Sequence, residues 1–272
     1  MIYEKIYLHE NEKDVYLEYF GCDDFEKQKR PAILICPGGG YEFCWQGEGG
    51  PIARFFESKG FNCAVLMYST KEKASMLMPK ASRPLLEASM SVSLMRKNAD
   101  KWNILSDKIA VIGFSAGGHV AGSLGTLWDD DSIFEFLDIE RGSNKPNALI
   151  LSYSVLRSDE YAHRGSFDAL LGEYKENKEL LEKYDITKQV SEKTPPTFLW
   201  HTYDDGAVAV ENSIEFCKQM RLKSNNKCEL HIFYEGVHGS SLCTGEVGHR
   251  IDHNAHWSEL CAEWLKAVFK DV

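Results

Sequence analysis

Ser115 stands between Gly113 and Gly117 in "KIAVIGFSAGGHVAG", where an apolar run stops and a run of small residues begins. Ile109 to Phe114 reads as a buried strand and Ala116 to Leu127 as a helix, so the serine falls at the corner between them. A corner that sharp strains its central residue and brings neighbouring backbone close, which only small flanking residues allow. The hydroxyl is then pushed out as a nucleophile. The competing reading is a Gly-rich turn in which Ser115 caps the following helix.

A serine hydroxyl is a poor nucleophile without a base, and histidine is the usual one. Around such a corner the chain order is serine, acid, histidine, which leaves His231, His238, His249, His253 and His256 as candidates. His231 lies within the strand pattern "CELHIFYEG" and would be fixed in the sheet. His238 lies just beyond it in "EGVHGSSL", followed by a flexible glycine, and is the better base. "HRIDHNAHW" spaces three histidines helically, but no cysteine or carboxylate pattern of zinc type completes a metal site, and the stretch reads as a helix start. No metal and no cofactor is expected.

The acid should follow a strand and face His238. "TFLWHTYDDGAVAV" offers Asp204 and Asp205, which composition does not separate, while Glu235 sits too near His238 in the chain to orient it. "ILICPGGGY" supplies three glycines after a strand without the lysine and serine of a phosphate loop. Their N–H groups, with that of Ala116, are candidate donors to the oxyanion formed when Ser115 attacks a carbonyl. Tyr41 and Trp45 flank the glycines as candidate substrate contacts, with Tyr68 and Tyr161 as further rings that could come near.

These groups need a scaffold that brings distant segments together. Apolar runs alternate with helical patterns, predicting an α/β fold with a mostly parallel sheet covered on both faces. Strands are expected at Val15 to Phe20, Ala32 to Cys36, Asn62 to Met67, Ile109 to Phe114, Ala148 to Ser152, Thr197 to His201 and Glu229 to Tyr234, the opening segments antiparallel. Helices are expected at Pro51 to Ser58, Pro84 to Trp102, Ala116 to Leu127, Val210 to Arg221 and Ala255 to Phe269. The polar stretch 153–195 reads as a cap inserted over the carboxyl ends of the strands. The 272 residues then form a single domain.

The formal charge of -10, spread along the chain, disfavours nucleic acid and anionic membranes as partners. The opening "MIYEKIYLHENEKDVYLEYF" lacks a signal-peptide core and no run has the length of a membrane span, so a cytoplasmic location is expected. Eight cysteines without a C-x-x-C pair, several inside apolar runs, read as reduced core residues. Oligomeric state stays open, a homo-oligomer included.

"CPGGGY", "GFSAGGH", "TPPTFLWHTYDDGAVAVENS" and "YEGVHGSSL", in this order, with "HNAHWSELCAEWL" at the close, resemble the α/β-hydrolase esterases related to hormone-sensitive lipase. The resemblance is nearer to the bacterial branch described as acetyl-xylan or short-chain esterases, often labelled sugar hydrolase or lipase/esterase, and covers most of the chain from about Ile33. It implies Ser115 as nucleophile, His238 as base, and Asp205 as acid because the family's acid stands three positions before a valine, here Val208. It further implies Gly39 and Gly40 as oxyanion donors beside Ala116. Two departures stand out: Ala209 where many relatives have proline, and Pro37 where the lipase-like branch has histidine.

The expected activity is therefore a serine carboxylesterase removing short acyl groups, acetate foremost, from sugars or other small alcohols through an acyl-serine intermediate. Its partner is a small-molecule ester, an acetylated sugar among the candidates. A small peptidase or amidase would keep the fold and change the bond, and a non-catalytic binder would have no chemical need for the full set of groups. A glycosidase would require paired carboxylates at a fixed separation.

Overall fold

A computed structural model describes residues 2–21 and 28–270. Eight strands form one sheet: β1 (Ile2–His9), β2 (Glu12–Gly21), β3 (Arg30–Cys36), β4 (Asn62–Met67), β5 (Ile104–Phe114), β6 (Ala148–Ser152), β7 (Thr197–Thr202) and β8 (Cys228–Phe233). Their order is β1-β2-β4-β3-β5-β6-β7-β8, with β1 and β2 antiparallel and every pairing from β4 to β8 parallel. This is the mostly parallel, helix-flanked sheet that the sequence predicts.

Side chains alternate across a strand, and here both faces are covered, so the central strands read as unbroken apolar runs. Leu34, Val111 and Leu149 enter one core with α2 (Arg83–Lys97), α3 (Ala116–Leu127) and α8 (Glu211–Lys223). Ile33, Ile35, Ile112 and Ile150 enter the other with α1 (Gly50–Ser58) and α9 (His256–Lys270). Proline at the start of α1 and of α2 fits the first turn, where its missing N–H leaves no intrahelical bond unmade.

Strand β1 is an addition to the expected set. Its sequence IYEKIYLH places Glu4 and Lys5 among its apolar residues and exposes Tyr3 and Tyr7, so burial gives no signal there. It is held by its ladder to β2, running from Ile2 opposite Gly21 to Tyr7 opposite Tyr16. Helix α2 ends at Lys97 rather than reaching Trp102, and β5 starts five residues early, at Ile104.

Residues 153–195 carry three short helices, α5 (Arg164–Leu171), α6 (Lys178–Lys183) and α7 (Ile186–Gln189), beyond the short α4 (Asp131–Phe136). Phe167, Leu171, Tyr184 and Ile186 are buried in the same core as α2 and α3. The Tyr184 hydroxyl accepts the Ser82 amide at 2.8 Å, and Asn212 Oδ1 accepts the amides of Leu156 and Arg157 at 2.8 and 2.9 Å. Much of the expected cap is thus wall of the α/β body, and the stretch around His163 is what reaches the strand ends.

Cys36, Cys63, Cys243 and Cys261 are buried, whereas Cys44, Cys217 and Cys228 are only partly buried, which departs from a uniform core reading. Cys22 lies outside the described residues. Among the described residues no helix is long and apolar enough to cross a membrane.

Candidate active site

Strand β5 runs into α3 at Ser115, whose φ of 52° and ψ of -120° are unusual for a residue with a side chain. Three backbone bonds hold that geometry: the Ser115 amide donates to Ser152 O at 3.0 Å, and its carbonyl accepts from His119 at 3.2 Å and Val155 at 3.1 Å. A Cβ at Gly117 would sit on the carbonyl oxygens of Cys36 and Pro37, and one at Gly113 on the backbone of Gly117. The two glycines are what lets β3, β5 and α3 approach so closely. Ser115 makes no capping bond to α3. Its Oγ lies 2.8 Å from His238 Nε2 instead.

His238 follows β8, and its Nδ1 lies 2.8 Å from Asp205 Oδ2, after β7. A carboxylate can only accept, so Nδ1 carries the proton and Nε2 presents its lone pair to the Ser115 hydroxyl. The edge of the Tyr153 ring packs on the imidazole, centroids 5.1 Å apart. The carboxyl end of the parallel sheet thus brings Ser115, Asp205 and His238 into one hydrogen-bonded line from three separate strands.

The Asp205 side chain is fully buried. Burial would raise its carboxyl, but hydrogen bonds from His201, His238 and the Val208 amide outweigh that and hold it well below the ordinary carboxylate range. Oδ1 accepts the amides of Ala207 and Val208, each at 2.9 Å. His201 Nε2 lies 2.9 Å from Val208 O and 3.3 Å from Asp205 Oδ2. Since both are acceptors, that nitrogen bears a proton, and His201 backs the acid from inside β7. The neighbouring Asp204 turns the other way, where its Oδ1 accepts the Gly236 amide at 2.8 Å and anchors the loop that leads to His238.

Opposite this line runs the glycine loop after β3. Gly39, Gly40 and Tyr41 have φ of 128°, 65° and 64°, and a Cβ at Gly39 would strike Phe43 O. Among the described residues the amides of Gly39 and Gly40 meet no protein acceptor, and the Ala116 amide opens α3, where no intrahelical acceptor exists. Glu48 holds the loop from below. The Gly38 amide donates to its Oε2 at 2.7 Å, and the Tyr153 hydroxyl donates to its Oε1 at 2.6 Å. Burial pushes the Glu48 carboxyl up to about 7, against the bonds from Tyr153 and Gly38 and the nearby His238.

A cavity of about 220 Å³ opens over Ser115, lined by Gly39, Gly40, Phe43, Trp45, Glu48, His163, His238 and Gly239. Trp45 lines it as the sequence suggests, and Phe43 is the second ring of its mouth. Tyr41 does not. Its ring is buried, its hydroxyl lies 2.7 Å from His119 Nδ1, and it fastens the glycine loop to α3. The Tyr68 hydroxyl likewise turns inward to donate to Pro37 O at 2.6 Å, and Tyr161 stacks under the Arg157 guanidinium. Larger surface grooves exist, one of about 540 Å³ beside Met90 and Glu140, but it is lined by neither Ser115 nor His238.

Sequence reasoning did not find Glu48, His201 or His163. Glu48 is a single acid in a Gly-rich turn and His201 a single histidine in an apolar strand, so composition sets neither apart. His163 carries one local sign, a serine three residues on that could pair with it as a helix cap.

A parallel sheet with a serine at a strand-to-helix corner and with an acid and a histidine after later strands defines an α/β-hydrolase. The chain belongs to the BD-FAE family, whose model matches residues 21–220. It is 40% identical over 220 residues to endo-1,4-beta-xylanase B of Butyrivibrio fibrisolvens, covering 80% of this chain and 34% of that protein. It is 31% identical over 245 residues to the acetylxylan esterase of Xylanibacter ruminicola, covering 87% of this chain and 45% of that one. The chain thus spans less than half the length of these two curated relatives. The solved acetyl ester-xyloside bifunctional hydrolase of Caldicellulosiruptor lactoaceticus superposes with a TM-score of 0.83 at 34% identity, over 97% of this chain and 96% of that one.

Proposed function

We propose that the protein is a serine carboxylesterase that removes short acyl groups, acetyl above all, from sugars. The observation that carries the reading is the Ser115, His238, Asp205 line, with 2.8 Å between each pair of partners. In this mechanism His238 Nε2 takes the Ser115 proton as Oγ attacks the ester carbonyl. The amides of Gly39, Gly40 and Ala116 hold the resulting oxyanion, and His238 returns the proton to the alcohol oxygen as the C–O bond breaks. Water then attacks the acyl-Ser115 ester, giving its proton to His238, which passes it to Ser115 Oγ as the acyl–oxygen bond breaks and the free acid leaves.

The acetyl and sugar parts of the reading draw on the names of the acetylxylan esterase and the acetyl ester-xyloside hydrolase. Acetate release from acetylated xylo-oligosaccharides and from 4-nitrophenyl acetate tests it, with Ser115→Ala as the control. Turnover of both esters that vanishes in the control is the expected result. Peptide cleavage faster than either ester would replace the reading with an amidase.

A further inference from the structure

His163 faces the same cavity as Ser115 and His238, from the residue that caps α5. Its Nδ1 lies 3.3 Å from the Ser166 amide nitrogen and 2.8 Å from Ser166 Oγ. A backbone amide can only donate, so Nδ1 keeps its lone pair, and the one proton of the neutral ring resides on Nε2. Among the described residues no hydrogen-bond partner meets that nitrogen. Burial, and then the nearby His238, hold the ring below the ordinary histidine value, with Asp205 opposing them, so the ring is neutral at pH 7.

The rest of the lining has less to offer a hydroxyl. Phe43 presents a bare ring, Trp45 a ring with a single indole N–H, the glycine amides face the oxyanion, and the Glu48 oxygens already accept from Gly38 and Tyr153. His163 lines this cavity together with His238, the group that hands the leaving alcohol its proton.

Resting on the esterase reading above, we propose that His163 is a specificity-determining residue whose Nε2–H donates to a free hydroxyl beside the acylated oxygen of the alcohol. The site then prefers esters of polyols and sugars that keep a neighbouring free hydroxyl. The amide-capped ring fixes the tautomer before substrate arrives, so the donor needs no reorganisation.

The test compares kcat/KM for a mono-acetylated methyl xyloside with that for its fully acetylated counterpart, in the wild type and in His163→Asn. Asparagine keeps a capping acceptor for Ser166 but is too short to place a donor where Nε2 lies. The wild type should favour the substrate with free hydroxyls, and the variant should lower that ratio about tenfold, the scale of one lost hydrogen bond. A second variant, His163→Phe, should lower it equally, with melting curves checking that each is folded. An unchanged ratio in a folded variant, or no preference in the wild type, overturns the proposal. Wild-type turnover of 4-nitrophenyl acetate without any turnover of the sugar esters overturns it alone, whereas absence of all ester hydrolysis overturns the esterase reading first.

Discussion

The carboxylate of Glu48 accepts the amide of Gly38 at 2.7 Å, so a buried acid grips the first glycine of the loop that faces Ser115. Its other oxygen takes the hydroxyl of Tyr153, which itself accepts the Ser241 amide at 3.0 Å and lays its ring against His238. One carboxyl group thereby ties the glycine loop to the wall behind the histidine.

Because burial pushes Glu48 up to about 7 from an ordinary 4.5, the folded chain holds a proton there that the unfolded chain has released. Between roughly pH 4.5 and 7 the native state binds more protons, so this group's contribution to stability falls as pH rises. Glu48→Gln is expected to remove that fall, an effect of order 3 kcal/mol at most. Urea unfolding of both proteins at pH 5 and pH 8 measures it, and equal slopes with pH would refute it. Glu48→Ala, which leaves the Gly38 and Tyr153 donors buried without an acceptor, should cost stability and kcat together.

For the acid, Asp205→Asn should lower kcat by about 10³ to 10⁴-fold, because an amide at that point favours the wrong tautomer of His238. Asp204→Asn should cost less than about tenfold, since it touches only the Gly236 amide. Ser115→Ala should lose more than either, with the fold intact. Rates on an aryl acetate rank the three variants, and a larger loss at Asp204 would move the role there.

His119 gives the opposite pH slope to Glu48. Burial pushes its ring down to about 4, while the Tyr184 carbonyl and Asp185 oppose the shift. Nε2 lies 2.8 Å from Tyr184 O and Nδ1 2.7 Å from the Tyr41 hydroxyl, so the neutral ring is satisfied on both sides. The unfolded chain binds the extra proton between roughly pH 4 and 6.5, and stability therefore rises with pH through that window. His119→Gln can keep one acceptor and one donor without titrating. It should lose less stability than the wild type on acidification from pH 6.5 to 4, and thermal melts across that range would show an equal loss if the assignment is wrong.

What the sequence could show followed from order along the chain. Strands covered on both faces spell themselves out as apolar runs, as in Ala32 to Cys36, and a serine between glycines after such a run marks its own corner. Neighbours across the fold leave no such mark. Asp204 and Asp205 differ by one position, yet one enters the buried line to His238 and the other holds a loop amide at the surface, a difference set by the direction in which the chain leaves β7. Tyr41 looked like a mouth residue because it follows the glycines, but its positive φ turns the ring inward to His119. Strand β1 went unread because pairing, not burial, defines it.

The last prediction concerns acyl size. At about 220 Å³ the cavity over Ser115 is smaller than the roughly 300 to 1,000 Å³ typical of drug-sized ligands. Each methylene added to an acyl chain gains about 0.8 kcal/mol where it can be buried, and costs strain where it meets a wall already in place. Two of those walls are closely packed: a Cβ at Gly39 would already strike Phe43 O, and one at Gly47 would strike the Trp45 ring. Acetyl and propionyl esters are therefore expected to show much higher kcat/KM than hexanoyl and longer ones. Trp45→Ala should shift that profile toward longer chains by removing a wall, whereas replacing Tyr41, whose ring faces the core, should alter stability more than acyl preference. A series of 4-nitrophenyl esters from C2 to C12 measures both profiles. A wild-type maximum at long chains would mean that the cavity opens beyond its present walls, and the short-acyl reading would have to be given up.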